Sequence, residues 1–483
     1  MIGKQRAFCG RLAAGHRAGG GVAVEDRSGR MRKIFWAALV AVGVVWFIAH
    51  QAGRIGVGYA AKQLCSGVFV SGLPEDFVLA QDVRPRLATV PLLSNFLTTE
   101  LGADSASARV LTAYAEATHR PGYGCTLHGV ADLAPAANGE TSRAPGLAGD
   151  LPSTGQVTTD RRLEVISDKA FIEPEDGGRN TLAFLVLHRG QVVAERYAAP
   201  VTASTRLQGW SMNKSLMASF VGLQVTAGRM ALSDTVAAGL ASRGVAPGQF
   251  AGLSDSMTLK HLMSMTSGLD FEERYFPGDD VTDMLYGDQP MWTVPAAQGQ
   301  RHDPGTVFSY SSGDTNLVSF LWQTTLGGEP YPVWLDREVY RPLGLDTPIL
   351  EPDVSGIQVG SSFAFLTARD WAQVGQWWLD AWHGRDDRLP REWQRLAVTP
   401  GVGAGGENYG LGFWLNTGQR MFPGLPDNTF HAGGNSGQFV VVIPDSELVV
   451  VRLGLTLDES KSALGPVLGE LQTWAANTAT PPG

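Results

Sequence analysis

Hydrophobic and polar positions fall into a few blocks with clear periods. "TLAFLVLHRGQVVAERYA", 181–198, is two strand-like runs around the turn "HRGQ" and predicts a β-hairpin. In "SMNKSLMASFVGLQVTAG" the apolar residues Leu216, Phe220, Leu223 and Val225 recur at helical spacing, with Gly228 as the stop. "DSMTLKHLMSMTSGLDF" reads as a short helix ended by a Ser-Gly turn, and "TARDWAQVGQWWLDAW" as an amphipathic helix capped by Thr367. Towards the end, "YGLGFWLN", "GQFVVVIP" and "ELVVVRLG" are strand-like. A tight turn at "DS" joins the last two, and "PVLGELQTWAA" is a closing helix. Strands first, helices in the middle, then strands and a helix predict an α+β fold over 155–478. Its antiparallel sheet is built from both ends of this region, flanked by helices, with a mostly helical insertion.

The chain before this region reads differently. Residues 55–150 are weakly periodic and end in "AANGETSRAPGLAGDLPSTG", so they are assigned as an N-terminal extension and linker. "IFWAALVAVGVVWFIA" begins at Ile34 and carries no charge; residues 1–33 before it hold eight Lys and Arg against Glu25 and Asp26. Positive charge before an apolar run predicts a cytoplasmic leader over 1–33, a transmembrane anchor or signal over 34–50, and export of the chain beyond residue 50. An uncleaved anchor is favoured, since no small-x-small cleavage site lies close behind the run. The region 155–478 is then expected in the cell envelope, extracytoplasmic and anchored, or secreted if the segment is cleaved. Of three cysteines, Cys65 and Cys125 lie beyond the apolar run, in an oxidising compartment. One disulfide between them is expected. A net charge of -9 argues against nucleic acid as a partner.

Three stretches carry candidate chemistry. In "GWSMNKSL", Ser211 and Lys214 are one helical turn apart and share a face. A serine hydroxyl becomes a nucleophile when a base takes its proton, and a lysine is such a base once burial depresses its pKa. A serine at a helix start is also an ordinary cap, so the pair gains weight only in company. In "PGTVFSYSSGDTNL", Tyr310 stands before Ser312; a phenol near a lysine can pass a proton to a leaving group, although a buried tyrosine is more often plain packing. In "FHAGGNSGQFVVVIP", a glycine-rich turn feeds a strand, so backbone N–H groups of Gly434 or Asn435 can face a substrate carbonyl, and His431 can bind a carboxylate or shape the pocket. Trp210, Trp292 and Trp414 are candidates to line an apolar acyl pocket, against the default of core packing. No zinc, phosphate-loop or dinucleotide motif occurs, so no metal or cofactor is expected.

Ser-x-x-Lys, a tyrosine turn about a hundred residues on, and a His/Gly turn before the final strands resemble the β-lactamase-like serine hydrolases. That group includes class C β-lactamases, DD-peptidases, family VIII carboxylesterases and 6-aminohexanoate-dimer hydrolases. "HLMSMTSGL", "PGTVFSYSSGDTN" and "GQFVVVIPDSELVVVRLG" are similar to the family as well, so the resemblance spans roughly 155–478. It implies Ser211 as the acylated nucleophile, Lys214 as its base and Tyr310 as second proton carrier. The oxyanion would be held by the Ser211 N–H and by that of Gly434 or Asn435. The partner would be a small-molecule ester or linear amide. Two departures weigh against β-lactam hydrolysis: His431-Ala432-Gly433 stands where the family often has Lys-Thr-Gly, and Ser312 where class C enzymes usually have Asn. The alternative is a penicillin-binding or non-catalytic envelope sensor of the same fold. Oligomeric state is left open.

Overall fold

The computed structural model describes residues 27–88, 93–129, 133, 160–346 and 348–478. It divides into two units, 1–49 and 50–483. Helix α1 (Arg27–Cys65) carries exposed Phe35, Trp36, Leu39 and Val40 within the first unit. Among the described residues no helix is long and apolar enough to cross a membrane, so the anchor expected over 34–50 gains no support. The side chains of 34, 38 and 41–50 lie outside the described residues, as do all of 1–26 and the linker 134–159.

The second unit begins with the last residues of α1, where Val57, Ala60, Ala61 and Leu64 are fully buried. Four strands follow as an antiparallel meander: β1 (Thr98–Leu101), β2 (Ser105–Val110), β3 (Ala113–Arg120) and β4 (Gly124–Leu127). The weak hydrophobicity of 55–150 conceals this sheet. Five of the six inward positions on β2 and β3 are alanines, Ala106 and Ala108 on β2 and Ala113, Ala115 and Ala117 on β3, with Val110 the sixth, so the period of two is present with little apolar weight.

The region packs on the main domain. Buried Lys62 pairs with buried Glu351; Ser66 Oγ and the Cys125 backbone N–H also donate to Glu351 Oε1, at 2.9 and 2.7 Å. A buried carboxylate must be paired and hydrogen-bonded to be tolerated, and these three donors satisfy it. Cys65 and Cys125 form the expected disulfide, with Cα atoms 6.0 Å apart.

Next come α2 (Arg161–Lys169), the hairpin β5 (Thr181–His188) and β6 (Gln191–Tyr197), and the short β7 (Leu207–Gln208). Arg189 and Gly190 have φ of 54° and 75°, as a two-residue hairpin turn requires. The helical part holds α3 (Asn213–Thr226), α4 (Leu259–Met263) and α5 (Ser312–Gln323). Strands β8 (Ile349–Leu350) and β9 (Ala364–Leu366) join β7 in a small sheet, and α6 (Ala368–His383) follows with the capping box Thr367/Asp370. The end comprises β10 (Trp414–Leu415), β11 (Phe430–Gly434), β12 (Gln438–Ile443), β13 (Leu448–Gly454) and α7 (Leu464–Thr478).

The main sheet is antiparallel, in the order β10-β11-β12-β13-β5-β6, so both ends of the region 155–478 build it as expected. Both faces are buried. Leu185, Val440 and Val449 belong to the large core that includes α6, whereas Phe184, Val441 and Val450 belong to a second core with α2 and α7. Two buried faces explain why these strands read as apolar runs rather than alternations. "YGLGFWLN" supplies only two strand residues. Gly412 has a φ of 81°, and a Cβ there would stand 2.7 Å from the Lys214 carbonyl, so the segment presses against α3 instead of extending the sheet.

Candidate active site

Ser211 lies in a 3-10 turn, Trp210–Met212, that leads into α3. Trp210 holds a φ of 50°, a left-handed conformation that is costly for a bulky side chain. Gly209 before it is packed so closely on Trp371 of α6 that a Cβ would stand 2.3 Å from the indole. The strained turn leaves Ser211 partly exposed, while Lys214 on the same helical face is buried at 2% exposure.

Lys214 Nζ donates to Ser211 Oγ at 3.0 Å, to Ser312 Oγ at 3.0 Å and to the Ser361 carbonyl at 3.2 Å. It also stands 4.8 Å from the centroid of the Tyr310 ring. Burial pulls its pKa down to about 8, against the opposing pull of Glu273 and Asp314. Tyr310 stacks on Trp414 with ring centroids 5.3 Å apart, and Tyr409 meets its edge. Desolvation and the charge of Glu273 push its phenol well above the usual tyrosine range, and a hydrogen bond with Ser211 pulls the other way. Ser211 and Lys214 are thus brought together with Tyr310 and Ser312, which lie far away in sequence.

The glycine turn arrives beside them. A Cβ on Gly434 would stand 2.1 Å from the Gly209 carbonyl, so only glycine lets β11 come this close to the serine turn. Asn435 comes next, its Oδ1 accepting from Arg86 Nη2. His431 goes elsewhere. It alternates with Ala432 and Gly434 along β11, pairs across the sheet with Val441, and is buried between Phe422 and Phe439. Desolvation there drives its pKa down to about 3, so it is neutral. Of the three tryptophans, Trp210 and Trp414 flank the site, and Trp292 stacks on Phe320 of α5 at 4.2 Å.

Two further residues enter that sequence reasoning did not single out. Glu273 is half-buried and accepts from the backbone N–H of Ser312 and, at 2.7 Å, from its hydroxyl. Burial raises its pKa, and the charge of Lys214 lowers it. Tyr275 donates to Glu273 Oε1 at 3.3 Å. The Ser312 hydroxyl therefore links Lys214 to a carboxylate. The only signal in sequence was an acidic stretch, Asp270, Glu272 and Glu273, in which no spacing marks the inward residue. Among the described residues no group of His, Cys, Asp and Glu is arranged to hold a metal ion.

A family model described as Beta-lactamase matches residues 166–463. A 6-aminohexanoate-dimer hydrolase of Paenarthrobacter ureafaciens is 27% identical over 211 residues, which is 41% of this chain and 52% of that protein. The chain spans about half the length of the curated relatives it matches. Among solved structures, a hydrolase with promiscuous acyltransferase activity is similar with a TM-score of 0.53 and 18% identity, over 65% of this chain and 97% of that one. A penicillin-binding protein homolog from Caulobacter crescentus gives 0.51 and 16%, over 68% and 99%. At such identities the structures establish the fold alone. The family match covers more than half of the residues, and it encloses the serine turn, the tyrosine turn and the glycine turn that meet in the site: the chain belongs to the beta-lactamase family.

Proposed function

We propose that the chain is a serine hydrolase that cleaves a small ester or linear amide through an acyl-enzyme on Ser211. The observation that carries this reading is the 3.0 Å contact between Ser211 Oγ and a buried lysine whose pKa is lowered to about 8. Neutral Lys214 takes the hydroxyl proton as Oγ bonds to the substrate carbonyl carbon. The oxyanion is held by the Ser211 N–H and, on the strength of the close approach to Gly209, the Gly434 N–H. Tyr310 passes a proton to the leaving group as its bond to the carbonyl carbon breaks, and Lys214 restores that proton. Water then attacks the acyl-enzyme by the same groups in reverse, releasing the acid and free Ser211. The chain Lys214–Ser312–Glu273 keeps the lysine fixed and its charge compensated. A linear amide is in keeping with the name of the 6-aminohexanoate-dimer hydrolase. His431, neutral and enclosed by aromatic rings, is a poor anchor for a β-lactam carboxylate.

The test is labelling of the protein with a fluorescent fluorophosphonate, beside turnover of 4-nitrophenyl esters and of penicillin. Labelling with ester turnover is expected. Penicillin acylation without turnover of any ester would instead mark a penicillin-binding protein, and a folded protein inert to all three probes would sink the catalytic reading.

We further propose that the catalytic region works outside the cytoplasm, held there by the segment 34–50. Support comes from the basic block before that segment and from the disulfide, which persists in an oxidising compartment. Thiol alkylation of intact cells is expected to find Cys65 and Cys125 blocked. In purified protein, reduction of this bond, which joins residues 60 apart, is expected to lower unfolding stability by about 4 kcal/mol. Free thiols in cells would overturn the placement.

A further inference from the structure

A cavity of about 350 Å³ adjoins the serine turn, a volume within the usual range for small-molecule sites. One wall is Trp210, Tyr286 and Asn435 of the catalytic region; the facing wall is Ile55, Tyr59 and Arg86 of the extension. The extension lies before residue 166, where the family match begins. Its wall is firmly held. Tyr59 meets Tyr286 edge-on at 5.4 Å and donates to Asp82, which also accepts from Gln63 at 2.9 Å. The Arg86 guanidinium lies 5.3 Å over the Trp210 ring and donates through Nη2 to Asn435 Oδ1 and Ser436 Oγ, with Asp82 at 3.6 Å from its Nε. One guanidinium thus touches both the residue before Ser211 and the turn after Gly434.

The lining is mostly aromatic and aliphatic, with this one cation at the junction. An apolar group gains by leaving water for such a cavity, and an ionised or carbonyl oxygen is a stronger acceptor for Nη2 than a serine hydroxyl. The cavity opens beside Trp210 and Asn435, the residues next to Ser211 and Gly434. It is lined by neighbours of the two amides that would hold the carbonyl, whereas Tyr310, next to the leaving group, does not line it.

Resting on the Ser211 reading, we propose that residues 55–87 of the extension form one wall of the substrate site. In this site the cavity takes an aromatic or branched acyl group, and Arg86 donates to an acceptor oxygen carried by that group. The extension is then a specificity element of the enzyme.

The experiment uses the full chain and three probes: 4-nitrophenyl acetate, 4-nitrophenyl 3-phenylpropanoate and the para-carboxylate of the latter. The wild type is expected to favour the phenylpropanoate over acetate in kcat/KM, and the carboxylate further. Ile55→Trp, which fills the cavity, should cut the phenylpropanoate-to-acetate ratio by about tenfold or more. Arg86→Met should cut the carboxylate-to-phenylpropanoate ratio by about 10- to 100-fold, chiefly through KM, with Arg86→Lys recovering part of it. Ratios equal to wild type in Ile55→Trp and in either Arg86 variant would overturn the proposal while leaving the nucleophile intact. A wild type that neither labels with fluorophosphonate nor turns over any of the three esters would remove the Ser211 reading and this one with it. If Arg86→Met fails to fold, Arg86→Lys decides the polar contact and Ile55→Trp the apolar one.

Discussion

Ser211→Ala is expected to lower kcat for every ester by at least about 10⁴-fold and to abolish fluorophosphonate labelling, with little change in folding. The size of the loss comes from the mechanism: without Oγ no acyl-enzyme forms, and only binding and an oxyanion hole acting on water are left. The small structural effect comes from the environment. Ser211 is partly exposed, and Lys214 keeps its hydrogen bonds to Ser312 and Ser361 when Oγ is removed. The change in unfolding stability should stay within about 1 kcal/mol. Initial rates and a thermal melt on the same preparation decide the matter. An unfolded variant would make Ser211 structural, and a folded variant with wild-type turnover would place the nucleophile elsewhere.

Lys214→Met should cost at least about 10²-fold in kcat/KM, the usual lower range for a lost general base, and Lys214→Arg should not restore it, because a guanidinium does not release its proton. The pH profile is the sharper measurement. With a pKa lowered to about 8 by burial, only about a tenth of Lys214 is neutral at pH 7 and about nine-tenths at pH 9. In the proposed mechanism the neutral amine is the active form, so kcat/KM should rise roughly tenfold from pH 7 to pH 9 and level off above. The sign separates this mechanism from one with a protonated lysine as the essential acid, for which the rate would fall over the same interval. Glu273→Gln removes a charge that raises the Lys214 pKa, so its midpoint should move down.

The readable parts of this molecule are those where local pattern and tertiary environment agree. The hairpin 181–198, the helix capped by Thr367 and the strands after 438 all formed where periodicity placed them. Ser211 and Lys214 were readable because three residues of helix put two side chains on one face whatever the rest of the chain does. The meander 98–127 was hidden because alanine fills its inward positions and gives too weak an apolar signal. His431 was misleading: the glycine turn suggested a ligand-facing residue, but strand alternation turns it to the face opposite Gly434.

Local order along the chain was enough for the α+β class, the contact between Ser211 and Lys214 and the pairing of Cys65 with Cys125. These rest on spacing, on composition or on the compartment expected of the thiols. Which acidic side chain enters the site was not a local matter. Glu272 pairs with Arg274 and Arg301, whereas its neighbour Glu273 turns to Ser312. Nor was the contact between Arg86 and a turn some 350 residues away, because no period or motif encodes a contact between remote segments. Burial against other segments sets the pKa of Lys214 and the direction of each side chain. Those quantities exist only once the chain has closed on itself.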